Sequence, residues 1–89
     1  MIYKEKYMKI TTEGLITIIT NALVADDVIT EDSSADNIPE WDSLGHLSVL
    51  TSLDEATEGE ASAISDLGDA SSVKDIISIL KKENLIDES

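Results

Sequence analysis

The stretch PEWDSLGHLSVL (39–50) holds the chain's only proline, tryptophan and histidine, grouped around Ser43. Ser43 and His46 stand three apart, which puts both on one face of a helix. A serine nucleophile needs an imidazole within hydrogen-bond reach, an acid to orient that imidazole, and donors for an oxyanion. No G-x-S-x-G elbow surrounds Ser43, and an isolated histidine completes no triad. Catalysis is therefore not expected, and His46 reads as a solvent-facing residue or a partner contact. The acids of 32–42 raise a second chemistry, calcium binding. An EF-hand loop needs D-x-[DN]-x-[DN]-G and a glutamate six residues after the glycine. This run has no glycine and is interrupted by Pro39, so no dedicated metal site is expected.

Two roles remain for the serine. Asp42 and Ser43 come just before a helical pattern, where Asp or Ser serves as an N-cap. If Asp42 is the cap, Ser43 is the first helical residue and need do nothing more. Alternatively, Ser43 carries a group. A hydroxyl in the first turn lies beside unpaired backbone N–H groups and the positive end of the helix dipole, which favours an attached phosphate.

The elements that must position this junction follow from apolar spacing. Thr11 and Thr12 offer N-caps, and Leu15, Ile18, Ile19, Ala22 and Leu23 repeat as one helical face, predicting a helix over 12–24. Residues 25–42, ADDVITEDSSADNIPEWD, are rich in turn formers and make a long acidic connection. Val28 and Ile29 at its start, and Ile38 and Trp41 at its end, should pin it to the core. A second helix is expected from Asp42 or Ser43 to about Ala56, with Leu44, Leu47, Leu50 and Leu53 as a broad apolar face. Gly45 weakens it by roughly 1 kcal/mol relative to alanine, so packing must support it. After a loop over 57–65, a short turn of helix is expected around Leu67. A last helix should start at Ser72, with Asp75 completing a capping box. Val73, Ile76, Ile77 and Leu80 form its buried face, and Lys81 and Lys82 suit its C-terminal end. The expected architecture is all-α: a four-helix bundle with a long loop after the first helix and a short third helix. The domain is expected over 11–83, with tails at 1–10 and 84–89.

Composition bounds the function. The chain has 89 residues, enough for one domain. It has no cysteine, so thiol chemistry would need a thiol from elsewhere. It has no Phe, so the core must be built from Leu, Ile, Val and Ala. No apolar run reaches membrane-spanning length and no secretory h-region is present, so a cytoplasmic location is expected. The net charge is −13, and no Lys or Arg lies between Ile10 and Val73 while fourteen Asp and Glu do. Such a surface repels nucleic-acid backbones and steers toward basic patches on protein partners.

Asp42-Ser43-Leu44, the leucines at 47, 50 and 53, and the acids Asp54 and Glu55 resemble the acyl carrier protein family. The acidic loop before the serine, the short third element, and Ser71-Ser72-Val73 opening the last helix fit the same pattern. The resemblance runs from about Thr11 to Lys82. It implies that Ser43, flanked by Asp42 and Leu44, is the attachment site of 4′-phosphopantetheine, placed there from coenzyme A by a phosphopantetheinyl transferase. The arm's thiol would hold a cargo as a thioester, and the bundle core could shelter an acyl chain between its helices. The implied protein is a stand-alone carrier, a monomer and not an enzyme, serving acyl-loading and acyl-transferring enzymes with basic patches in a lipid or specialised pathway. Asp54 and Glu55 would meet those partners, and Val49 falls where the family often exposes an apolar contact. Gly45-His46 and Ser48 stand where acids are usual, and no Phe stands near Thr57. The reading from another class is an acidic helical interaction module without a prosthetic group.

Like-charge crowding also makes a prediction about stability. Salt shortens the Debye length from about 30 Å at 0.01 M to about 3 Å at 1 M. The melting temperature is expected to rise over that range of sodium chloride. A melting temperature that ignores salt would show that the acids do not strain the fold.

Overall fold

The computed structural model describes residues 10–87. The expected tail over 1–10 lies outside the described residues, apart from Ile10. Helix α1 spans Thr12–Leu23. Thr11 is extended and its Oγ1 accepts the Gly14 N–H at 2.9 Å, which satisfies one orphan donor of the first turn. Leu15, Ile19 and Leu23 are buried, and Ile16, Ile18 and Ala22 are partly so. The helix stops one residue short of the expected end because Val24 turns left-handed, at φ 52° and ψ 47°. The Val24 N–H then reaches Asn21 O and the Ala25 N–H reaches Thr20 O, the Schellman pattern.

The connection over 25–42 is tied down along its length. The Thr30 N–H donates to Ser33 Oγ at 2.9 Å, and the Ser34 N–H donates to Asn37 Oδ1 at 2.9 Å. In its middle, Ala35 N–H donates to Ser71 O at 2.8 Å and Val73 N–H to Ser33 O at 3.0 Å, across an isolated bridge between Ser34 and Ser72. The loop is thus held to the start of the last helix as well as at its ends. Ile29, Ile38 and Trp41 are buried as expected. Val28 is not: it is 83% exposed, and Ile29 alone pins the start of the loop.

Helix α2 spans Ser43–Ala56. Its buried residues are Val49 and Leu53, with His46 and Leu50 half-buried and Leu44 and Leu47 exposed. The expected face of four leucines is therefore corrected. At 3.6 residues per turn an i+3 row drifts by about 60° per step, so residues 44 and 53 lie on opposite sides. The face that packs is 46, 49, 50 and 53, an i, i+3, i+4, i+7 set.

Two 3₁₀ segments follow, Ala61–Ala63 and Ser65–Asp69, the second burying Leu67. Helix α3 spans Val73–Lys82 and buries Val73, Ile76, Ile77 and Leu80. Ser72 Oγ accepts the Asp75 N–H at 3.0 Å, while Asp75 Oδ2 accepts from the Ser71 N–H, one residue earlier than a capping box requires. Of the four expected helices, three are α-helices and the short one is 3₁₀. The described residues are mostly helical, with one addition. Strand β1 (Ile10–Thr11) pairs in parallel with β2 (Ile86–Asp87), and the Ile10 N–H donates to Leu85 O at 3.0 Å. Ile10, Leu85 and Ile86 are buried. The core thus runs past the expected domain edges at 11 and 83. Two-residue strands are too short to leave an alternating pattern in the sequence.

Val24 is β-branched, 79% exposed and left-handed, a conformation that costs an L-residue roughly 1–2 kcal/mol. Val24→Gly removes that strain and loses almost no packing. It is expected to raise the urea midpoint, corresponding to a gain of about 1 kcal/mol. An unchanged or lowered midpoint would show that the strain is already relieved.

Candidate functional site

The end of the acidic loop and the start of α2 form one corner. Trp41 N–H donates to Ile38 O at 2.9 Å, closing a turn with Pro39 second. That turn aims the Glu40 carbonyl at α2. A Cβ on Gly45 would run into the Glu40 carbonyl oxygen and would come within 2.9 Å of Leu23 Cδ2. Only glycine lets the loop, α1 and α2 meet here, which supplies the packing support expected for Gly45.

At the corner Asp42 is extended, and its Oδ1 accepts the Gly45 N–H at 2.8 Å. Asp42 is the cap. Ser43 is the first residue of α2, is exposed, and makes no hydrogen bond with its hydroxyl among the described residues. The capping role is filled, and the serine is left with a free hydroxyl at the positive end of the helix.

His46 does not face solvent as expected. The Trp41 indole Nε1–H donates to His46 Nδ1 at 3.0 Å, and His46 Nε2 lies 2.8 Å from Leu67 O. An indole N–H can only donate and a carbonyl can only accept. Nδ1 is therefore the acceptor and Nε2–H the donor, which fixes the tautomer. The two rings lie edge to edge, with centroids 6.2 Å apart and planes within 23° of each other. Both ring nitrogens are committed, so His46 is not arranged to take a proton from Ser43.

Beside Ser43 lies an open groove of about 650 Å³, walled by Trp41, His46, Leu47, Leu50 and Ala70. A second groove of about 350 Å³ continues along α2 toward Ala61 and Ile64, and the two share Leu50 and Gly68. The walls are apolar except for Ser43, Asp42, His46, Asp54 and a few hydroxyls. On another side of α2, a cleft of about 550 Å³ runs past Leu44, Leu47, Ser48, Thr51 and Glu55.

The expected partner residues divide. Glu55 is exposed on that cleft. Asp54 is half-buried and its Oδ1 accepts the Ser62 N–H at 3.1 Å, so it braces the following loop. Val49 is fully buried and offers nothing to a partner. It sits on the 46–49–53 face that packs inward, and the exposed apolar positions of α2 are Leu44, at 75%, and Leu47, at 59%. Trp41, expected to pin the loop to the core, and His46, expected to face solvent or a partner, are bonded to each other, a link that sequence reasoning missed. Their i, i+5 spacing across a helix start carries no periodic signal. No group of three metal-ligating side chains converges among the described residues.

Comparison with known protein families, with characterised proteins and with solved structures found no match to this chain. The site is therefore read from its own geometry.

That geometry predicts the cost of filling the corner. On an open helix, Gly45→Ala would gain about 1 kcal/mol of propensity. Here it is expected to lose about 1–3 kcal/mol by overpacking and to shift the emission of Trp41. A stabilised variant with unchanged emission would show that the Glu40 carbonyl yields freely.

Proposed function

We propose that this chain is a carrier of the acyl carrier protein type, with 4′-phosphopantetheine attached at Ser43. One observation carries the reading: Asp42 already caps α2, which leaves an exposed, uncommitted hydroxyl on Ser43 at the helix start. On this reading the fold is a four-helix carrier bundle whose third helix has contracted to the Ser65–Asp69 3₁₀ segment. The chain's residues suit the attached group. The first-turn N–H groups of α2 favour a phosphodiester at Ser43. The neighbouring groove gives the apolar part of the arm a surface to rest on.

When bound, the group supplies a terminal thiol that holds a cargo as a thioester, chemistry that a chain without cysteine cannot provide. The chain's own residues do the positioning. Asp42, Gly45 and the Glu40 carbonyl hold Ser43 out from the fold, where a phosphopantetheinyl transferase can reach it. Its hydroxyl gives its proton to a base on the transferase, its oxygen forms the new bond to phosphorus, the pyrophosphate of coenzyme A breaks, and adenosine 3′,5′-bisphosphate leaves. Leu44, Leu47 and Glu55 offer an apolar contact with an acid at its end to the enzymes that load and unload the cargo. Tethering keeps the cargo at high effective concentration near each of them. Such a protein works as a soluble, cytoplasmic monomer. Among the described residues no helix is long and apolar enough to cross a membrane.

Incubation with coenzyme A, magnesium and a broad-specificity transferase is expected to add the mass of one phosphopantetheine. Ser43→Ala is expected to fold with the same stability, within about 0.5 kcal/mol as for an exposed surface change, and to gain nothing. If several transferases leave the native chain unmodified, the acidic interaction module is the better reading.

A further inference from the structure

We propose that His46 sets the length of cargo this chain serves, by bolting the passage between α2 and the Ser65–Asp69 segment so that long alkyl chains stay outside the core. The proposal rests on the carrier reading and adds a substrate class to it: acyl groups too short to profit from burial.

The bolt has two bonds. His46 Nε2–H donates to Leu67 O at 2.8 Å, and Trp41 Nε1–H donates to His46 Nδ1 at 3.0 Å. His46 walls the groove beside Ser43, and Leu67 walls the groove beyond it. The bond between them therefore stands where the two grooves meet, between their shared residues Leu50 and Gly68. Behind it the core is closed: Leu67 is 1% exposed, and Val49, Leu53 and Ile76 are at 0%. An alkyl chain that entered would have to part His46 from Leu67, leaving an imidazole N–H without a partner and the Leu67 carbonyl with only the Ala70 N–H at 3.2 Å. It would also have to spread branched aliphatic side chains already in contact. Nor can the imidazole swing aside alone. Trp41 is 3% exposed and bonded to its Nδ1, so moving the ring breaks the second bond too.

The absence of cysteine permits a direct test. Ser43→Cys supplies a single thiol, which can be labelled with methyl or decyl methanethiosulfonate. The thiolate attacks the alkyl-bearing sulfur, an S–S bond forms, and methanesulfinate leaves. With His46 intact, the two adducts are expected to melt at the same temperature and to show the same backbone amide shifts at Leu50, Leu53 and Leu67. With His46→Ala added, the decyl adduct is expected to melt several degrees above the methyl adduct and to move those amides. His46→Gln retains an N–H donor and should restore exclusion. Trp41→Phe removes the bond that steadies the imidazole while keeping a ring, and should fall between the two extremes if the alanine variant fails to fold. Equal decyl effects with and without His46 would overturn the proposal, as would no decyl effect in any background. The label needs no transferase, so this result and the phosphopantetheine result fail independently.

Discussion

The contact between Gly45 and the Glu40 carbonyl is the constraint on which the site depends. It joins the last turn of the acidic loop to the first turn of α2, and Leu23 closes it from α1. Any side chain at 45 would drive these three segments apart. Because they cannot separate, Trp41 and Asp42 enter α2 at a fixed angle. Asp42 then caps α2, and Trp41 is brought beside His46. The helix gives up about 1 kcal/mol of propensity at Gly45 and gains a rigid corner. The serine's freedom is a product of that rigidity: everything around it is committed, and its hydroxyl is not.

The acids are compatible with this corner because of where they lie. Those of the loop and of the C-terminal half of α2 are mostly exposed, where water screens them. The segment of α2 from Ser43 to Leu53 carries no acid at all. Its outer side is leucine and hydroxyl, with Asp42 before it and Glu55 after it. A partner would meet an apolar middle between two acidic ends, roughly 20 Å apart at 1.5 Å rise per residue. An exposed ion pair in the loop, Lys74 with Asp32 at 3.1 Å, is worth at most about 1 kcal/mol. The loop is held instead by its backbone bonds to Ser71 and Val73 and by the buried Ile29, Ser33, Ile38 and Trp41.

Much of this was legible in the sequence, and the misses have physical causes. The caps at Thr11, Asp42 and Ser72 were readable because a capping side chain acts within three residues of itself. The faces of α1 and α3 were readable because their apolar residues follow the 3.6 period. The face of α2 was misread because leucine is the commonest clue to burial, and here the leucine row winds across the helix. Valine, the quieter residue, is buried, while Leu44 and Leu47 are exposed. The strand pair, the bridge at Ser34–Ser72 and the Trp41–His46–Leu67 chain all depend on contacts distant in sequence or on single bonds. Neither leaves a period to read.

Thr57 shows how a core without Phe shapes the site. It is 2% exposed at the end of α2, where an aromatic ring would fit the carrier pattern. Its hydroxyl donates to Leu53 O at 2.8 Å and accepts the Ala61 N–H at 2.9 Å. A ring at this joint could shift in its socket and let the neighbouring wall move. A threonine bonded on both sides cannot move without leaving a buried N–H unpaired. Asp54 adds a third tie, to the Ser62 N–H. The far end of the groove is thus fixed by hydrogen bonds, as its near end is fixed by His46 and Trp41. Between these two polar anchors Leu50 lines both grooves, and the side chains of Val49, Leu53 and Leu67 nearby are fully buried, so the wall yields little. On the carrier proposal, a cargo resting along α2 would meet a firm surface and would remain at the mouth of the groove, within reach of an enzyme docked on Leu44 and Leu47.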